Sequence, residues 1–461
     1  MNHTLSHLLG QPSRPRWQWW ALLVLIGGFA LALRLYYVTH VVIFQPANVP
    51  GAKGNAVQYY NYARNLVQHG VFSADPIGTL HPIGDSFRDP GYPIFLAAWM
   101  GIFPQWNRWY AAVIFSQAVL SAATVVLWLI IGRRWMPLNW LLVAGLLIAV
   151  WPHSISMSSH LLSETLYGFL VALAILVFAL GMDKPSFRWA VISGTCFSLA
   201  AFTNSVLLPF AVLLAIYQVI KRQLSPRVAL ALAATAVCLM APWMIRNSMQ
   251  RADQPSSGDR AFMNLVQGSW PLYHRAYMAS TIAHDPQAIQ VEEQIDREVA
   301  TIEASRREGL SMMWQRMAAS PGHFILWYLK KPALLWDWSI QIGVGDIYVY
   351  VTYHSPFDTQ PIWRVLEAIC HTCNMPIAIL TLIGCLLALW RFKPDKVEAV
   401  ALLLLFITCV HSLLQAEPRY SIPYRGAEIL LATWALYRIT ARMFDLRRKA
   451  NLPKLPSELA N

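Results

Sequence analysis

Charged side chains are scarce in this chain: they make up only 13% of its 461 residues, with 24 acidic residues against 36 lysines and arginines. Beside 56% hydrophobic residues, that scarcity excludes an ordinary soluble domain, where about a quarter of residues are charged. Cysteine is sparse as well. Cys196, Cys238, Cys385 and Cys409 fall inside apolar runs and read as small core hydrophobes. Cys370 and Cys373 form a lone C-x-x-C around His371, read as structural because no second pair is near enough to complete a metal site. Internal repeats and low-complexity tracts are absent, which disfavours transporters built from inverted repeats.

What fills the chain instead is lipid-compatible sequence. Apolar runs at 17–38, 109–131, 138–150, 161–180, 189–201, 206–220, 228–245, 369–390, 397–414 and 429–441 predict an all-α integral membrane protein of about ten transmembrane helices. The first run is long and lacks a small-residue cleavage site, so it reads as a retained helix rather than a removed signal peptide. Basic residues occupy alternate connections: Arg14 and Arg16, Arg133 and Arg134, Lys184 and Arg188, Lys221, Arg222 and Arg227, Arg391, Lys393 and Lys396, then Arg447, Arg448 and Lys449. By the positive-inside rule both termini are then cytoplasmic. The net charge of +12 is accounted for by this orientation signal and calls for no nucleic-acid partner.

The same logic divides the chain into a cytoplasmic tail 1–16, a transmembrane module 17–245 with a first outer loop 39–108, a second outer loop 246–367, C-terminal membrane helices 368–442 and a basic cytoplasmic tail 443–461. The two long loops are the expected working parts. The first contains a helical segment at 56–68 and an apolar stretch at 92–103 that suits a short span or an interfacial helix. The second contains a charged helical stretch near 291–307 and a Trp-rich segment, 314–338, whose Lys330 and Lys331 among aromatics suit a membrane-surface helix.

Motifs cluster in the first loop. Asn55-Ala56-Val57-Gln58-Tyr59-Tyr60 opens an Ala63-Arg64-Asn65-Leu66 helix, and Arg88-Asp89-Pro90-Gly91-Tyr92-Pro93 follows. Farther on come Leu33-Arg34-Leu35, Ser163-Glu164, Pro242-Trp243-Met244-Ile245-Arg246-Asn247 and Pro418-Arg419-Tyr420. In this order and spacing the sequence resembles the polytopic GT-C glycosyltransferases of the protein mannosyltransferase and aminoarabinose transferase superfamily, glycosyltransferase family 39-like. The resemblance implies transfer of a sugar from a polyprenyl-phosphate donor to a lipid, glycan or protein acceptor. It also implies a bacterial inner-membrane setting with an extracytoplasmic active face. A lipid-linked sugar transporter and a non-catalytic homologue that binds lipid-linked sugar are the alternatives.

Such chemistry needs cations for the departing phosphate and a base for the acceptor proton. Arg88, Arg246, Arg419 and Arg34 are the donor-phosphate candidates, because guanidinium stays charged and offers a fork to two oxygens. Each would serve equally well as an interfacial anchor or ion-pair partner. The family's expected base, an acidic residue four positions before the loop tyrosine, is here Asn55, which cannot take a proton near neutral pH. Three readings follow: the base has moved to Asp89, Asp85 or Glu164; Asn55 only positions the acceptor; or transfer has been lost. Asp89 has a plainer use as a turn or ion-pair residue beside Arg88, and Glu164 as a helix N-terminal charge, a caution that extends to Glu428. Tyr59 and Tyr60 are candidates for positioning substrate by stacking and hydrogen bonding. His153 and His160 precede Glu164 at a spacing too loose to define a metal site, so no tightly held metal and no other cofactor is expected.

Overall fold

The computed structural model describes residues 16–390, apart from 252, and residues 397–450. Arg14, Arg391, Lys393 and Lys396, used above for orientation, lie outside the described residues, as do the side chains of Arg447, Arg448 and Lys449.

Each of the apolar runs forms helix. In chain order the helices are α1 (Arg16–His40), α2 (Asn55–His69), α3 (Gly91–Ile102), α4 (Trp106–Gly132), α5 (Leu138–Val150), α6 (Pro152–Met157), α7 (Glu164–Gly181) and α8 (Phe187–Thr203). A 3-10 turn (Ser205–Leu207) leads into α9 (Leu208–Ile220), then α10 (Pro226–Ser248), α11 (Ser257–Gly268), α12 (Tyr273–Ala283), α13 (Pro286–Ala304), α14 (Arg306–Ala319) and α15 (Pro321–Leu335). The chain finishes with α16 (Pro356–Thr359), α17 (Pro361–Trp390), α18 (Glu398–Leu413), α19 (Pro418–Ser421) and α20 (Arg425–Ala450). This is an all-α integral membrane protein. Among the described residues α1, α4, α7, α10 and α17 are long and apolar enough to cross a membrane, whereas α3, α5, α18 and the 205–220 helix are apolar but shorter. A helix the length of α5, with 13 residues, rises only about 20 Å. It is prolonged by α6, which restarts after Trp151 with Pro152 in its first turn.

Local chemistry places the helix ends. Ser186 and Ser225 accept the backbone N–H three residues on and start α8 and α10, and Ser256 with Asp259 forms a reciprocal capping box on α11. Gly70, in the left-handed region at φ 67°, closes α2 by returning its N–H to Asn65 and Leu66 carbonyls. The bundle core joins α1 to α4 and α5, α7 to α4 and α8, α8 to α10, and α17 to α20. Fully buried Trp128, Trp151 and Trp434 fill it.

The two loops meet at one end of the bundle. A two-residue antiparallel ladder pairs β1 (Val42–Ile43) with β2 (Thr352–Tyr353), and Ser86 bridges Ser256. The second loop has its own small core of Val266, Tyr273, Ile295 and Ile302. It seats on the bundle through Gly268: a Cβ there would lie 1.9 Å from the Leu414 carbonyl oxygen at the end of α18. Gly268→Ala is therefore expected to lower the detergent-solubilised unfolding temperature by several degrees and to pull α11 off the bundle. The cost of such overpacking is about 1–3 kcal/mol. An unchanged melt would show that the contact is loose.

Candidate active site

A cavity of about 290 Å³ opens where the two loops cover the helix ends. The starts of α2, α7 and α19 and the ends of α8 and α18 contribute to its wall, together with α11 and α12. Its chemistry is a set of charged groups, most of which are matched pair by pair.

Arg88 is the exception. Its Nη2 donates to Asn55 Oδ1 at 2.6 Å, while Nε and Nη2 donate to Gln58 Oε1 at 2.9 and 2.5 Å. Asn55 and Gln58 stand one turn apart on α2, so both amides face the same guanidinium. Its carbon sits 5.2 Å from the Tyr59 ring centroid and 5.3 Å from that of Phe87. These contacts orient the charge without neutralising it.

The neighbouring residue behaves differently. Asp89 Oδ2 accepts from Arg260 Nη2 at 2.7 Å, and from the Ser205 N–H at 3.3 Å. Burial works against the Arg260 charge, but Asp89 more than compensates and holds its pKa above the ordinary value. Glu164, 8% exposed at the first turn of α7, is ion-paired with Arg419, and its second oxygen, Oε2, is buried without a hydrogen-bond partner. Burial again opposes the Arg419 charge and Glu164 again overrides it, raising the pKa. Tyr59 Oη lies 3.2 Å from Ser163 Oγ, which joins α2 to the start of α7.

Other expected site residues are placed elsewhere. Asp85 is a tie within the first loop: it accepts from the Tyr62 hydroxyl, from Ala74 N at 2.8 Å and from Phe87 N at 3.0 Å. Arg246 supports the same loop, donating to the Asp85 carbonyl and, at 3.2 Å, to the Phe72 carbonyl, with its carbon 4.9 Å from the Trp243 ring centroid. Tyr60 packs edge-on against Trp106 and Trp109, away from the cavity. Arg34 is fully buried in α1 and donates to Ser121 Oγ at 2.7 Å and to the Ala149 carbonyl at 2.8 Å. It lines a smaller cavity of about 40 Å³ that also touches Glu164. Asn55, Tyr59, Arg88, Asp89, Glu164 and Arg419 are the expected residues that come together on the main cavity.

Sequence reasoning missed three participants. Glu417 and Arg260 line the cavity, and His274 stands behind Glu417. Glu417 directly precedes the Pro418-Arg419-Tyr420 motif and was findable there, whereas Arg260 lies in polar loop sequence with no local signal. The wall beside Glu417 is braced by Lys331 of α15, whose ammonium donates to the Leu414 carbonyl and, at 2.9 Å, to the Gly268 carbonyl. Burial pushes Lys331 down to about 7.

The donor set is poor for a divalent cation. Asp89, Glu164 and Glu417 already face Arg260, Arg419 and His274, and Asn55 offers an amide. His153 Nε2 contacts the Trp338 carbonyl and His160 Nδ1 the Ser156 carbonyl, with burial lowering His160 to about 4. Among the described residues no group of three His, Cys, Asp or Glu side chains is placed to hold a metal.

No protein-family model matches the sequence, and no curated protein matches it. Solved structures do. The apo oligosaccharyltransferase of Archaeoglobus fulgidus aligns over 95% of this chain and 52% of its own, with TM-score 0.52 and 14% identity. The same enzyme in complex with Zn and sulfate gives 0.51 at 13% identity over 92% of this chain and 49% of its own. ArnT from Cupriavidus metallidurans bound to undecaprenyl phosphate aligns over 96% and 82%, but at TM-score 0.38 and 12% identity the likeness is too slight to define a shared fold. The chain spans about half the length of the oligosaccharyltransferase structures it matches. At these identities the likeness is one of architecture, and this chain has a GT-C-like fold.

Proposed function

We propose that the protein is a membrane glycosyltransferase that moves a sugar from a polyprenyl-phosphate carrier to a hydroxyl or amine on a lipid, glycan or protein acceptor. The observation that carries this reading is Arg88, a guanidinium on the cavity wall held, among the described residues, by neutral amides alone. A partly buried, uncompensated cation is an anion site, and its remaining N–H groups suit phosphate oxygens. The matched pairs Asp89–Arg260 and Glu164–Arg419 shape the cavity around it. Here the family resemblance supplies the chemistry and the shared fold supports it.

In the reaction, the bond from the sugar's anomeric carbon to the phosphate oxygen breaks and its electron pair leaves with the phosphate, whose charge Arg88 stabilises. The acceptor oxygen or nitrogen bonds to that carbon as its proton is removed. We place the cavity at the extracytoplasmic end of a bacterial inner membrane. The basic residues Arg133, Arg134, Arg188, Lys221 and Arg227 mark the opposite ends of the same helices.

One observation favours a second reading, in which the chain binds lipid-linked sugar without transferring it: Asn55 stands where the resembled family has its acid. Asn55→Asp separates the two. On the transferase reading the new carboxylate neutralises Arg88, so polyprenyl-phosphate affinity falls about tenfold or more and transfer falls with it. Transfer that appears only in the Asn55→Asp variant would instead mark the natural chain as a binder that has lost its base.

A further inference from the structure

With Asn55 unable to act as base and Asp85 outside the cavity, three carboxylates remain on the cavity wall among the described residues: Asp89, Glu164 and Glu417. The first two are committed to arginines at close range. An acceptor would have to compete with the guanidinium for each of these carboxylates.

Glu417, among the described residues, has no arginine partner. It is 1% exposed and comes from the short connection between α18 and α19. Its Oε1 accepts the backbone N–H of Gln341 at 2.8 Å and that of Ile342 at 3.3 Å. Those two bonds fix the side chain in place from the second loop. Its Oε2 lies 3.2 Å from His274 Nε2, but off the line of a hydrogen bond, so both atoms are buried with no hydrogen-bond partner. A buried carboxylate oxygen left without a donor is costly. Glu164 Oε2 is in the same state but its carboxylate is held by Arg419, whereas Glu417 lines the cavity with no guanidinium for an incoming donor to displace among the described residues.

We infer that Glu417 is the general base of the reaction, accepting the acceptor's proton on Oε2, and that His274 is the positioning residue that orients that oxygen. The inference rests on the transferase reading above. The acceptor's hydroxyl or amine donates to Oε2 and attacks the anomeric carbon as the carbon–phosphate-oxygen bond breaks. The proton ends on Glu417 and the electron pair on the phosphate held by Arg88, so the step needs no reactant beyond donor and acceptor. Tyr273, Tyr277 and Tyr420 line the same cavity, an aromatic lining that suits a sugar-like or cyclic acceptor.

The test uses the full chain in lipid nanodiscs with a panel of polyprenyl-monophosphate-linked pentoses and hexoses, an envelope lipid and glycan extract as acceptor, and polyprenyl phosphate alone as binding probe. Glu417→Gln retains an oxygen for the Gln341 and Ile342 N–H groups, so the chain is expected to melt within a few degrees of the natural protein. It is expected to lose about a hundredfold or more in kcat, with polyprenyl-phosphate affinity unchanged within about threefold. Glu417→Asp should recover part of the rate. His274→Asn should lower kcat about tenfold with KM unchanged, a split that a purely structural role would not produce. Glu417→Gln transferring sugar within about threefold of the natural rate would overturn the assignment, and if Arg88→Gln were inactive in the same assay the transferase reading would survive it. A natural chain that binds polyprenyl phosphate but consumes no donor would overturn both. Should Glu417→Gln unfold, a folded His274→Asn protein with kcat about tenfold lower at unchanged KM and a folded Glu417→Asp protein with a reduced rate would sustain the inference, and full activity in both would sink it.

Discussion

Replacing Arg88 with Gln is expected to abolish sugar transfer, with a loss of about a hundredfold to a thousandfold, while the chain stays folded. Removing one preorganised donor to a developing anion costs about that much in a water-poor site. Here the donor is also, among the described residues, the cavity's cation held by neutral groups alone, where Arg260 and Arg419 face Asp89 and Glu164. Stability should change little, because Asn55 borders the cavity and Asn55 and Gln58 are both only partly buried, so their amide oxygens can turn to water when the guanidinium goes. Arg88→Lys should fall between the two: an ammonium keeps the charge but cannot bridge both amides and still fork onto a phosphate. Transfer and polyprenyl-phosphate binding, measured side by side, decide the matter. If Arg88→Gln kept both, the anion site would have to lie elsewhere.

The second large effect is on stability. Arg419→Met should destabilise the chain by about 3–5 kcal/mol, because it strands the Glu164 carboxylate in a buried position. Both side chains are well shielded, at 12% and 9% exposure, and Glu164 Oε2 already lacks a partner. Replacing both residues, as Glu164→Met with Arg419→Met, should recover most of the loss, since neither member of the pair is then left without its partner. The comparison is best made as unfolding temperature at one fixed scan rate, because large proteins commonly unfold irreversibly and their melts then depend on that rate. Equal melts for the single and double variants would show that the pair is worth little and that Arg419 acts by some other contact.

How much of this was legible beforehand depended on the range of the interaction. Apolar runs are local, and each became helix, down to the Gly91–Ile102 segment. The first-loop motif was also local: Asn55 and Gln58 on α2 face Arg88 across a modest stretch of chain. Pairing between distant charges was not legible. Asp89 stands beside Arg88 in sequence, which made a local ion pair the simplest expectation. Instead its partner is Arg260, 171 residues away, on a helix with no motif of its own. Asp85 looked equally eligible as a base, yet the Tyr62 hydroxyl and two backbone N–H groups occupy it. Nothing in a one-dimensional string distinguishes a carboxylate that ties a loop from one that faces a cavity, because that difference is set by folding. The same holds for length: α5 reads as a span by composition, but its 13 residues end at Trp151 and the path continues through a second short helix.

The stitching of the two loops also sets a timetable for biogenesis. The Ala56 N–H donates to the Tyr350 hydroxyl, a partner 294 residues later in the chain, the β1–β2 ladder joins Val42 to Tyr353, and the Asp89–Arg260 pair spans 171 residues. At translation rates of about 5–20 residues per second, the first loop waits roughly 15–60 seconds before the Tyr350 region exists. Until the second loop is complete, Arg88 and Asp89 are only partly covered, and the half-made cavity is an open polar notch among membrane helices. A nascent chain of this design therefore depends on whatever shelters it during insertion, and a truncation anywhere before Arg419 leaves Glu164 without its counter-ion.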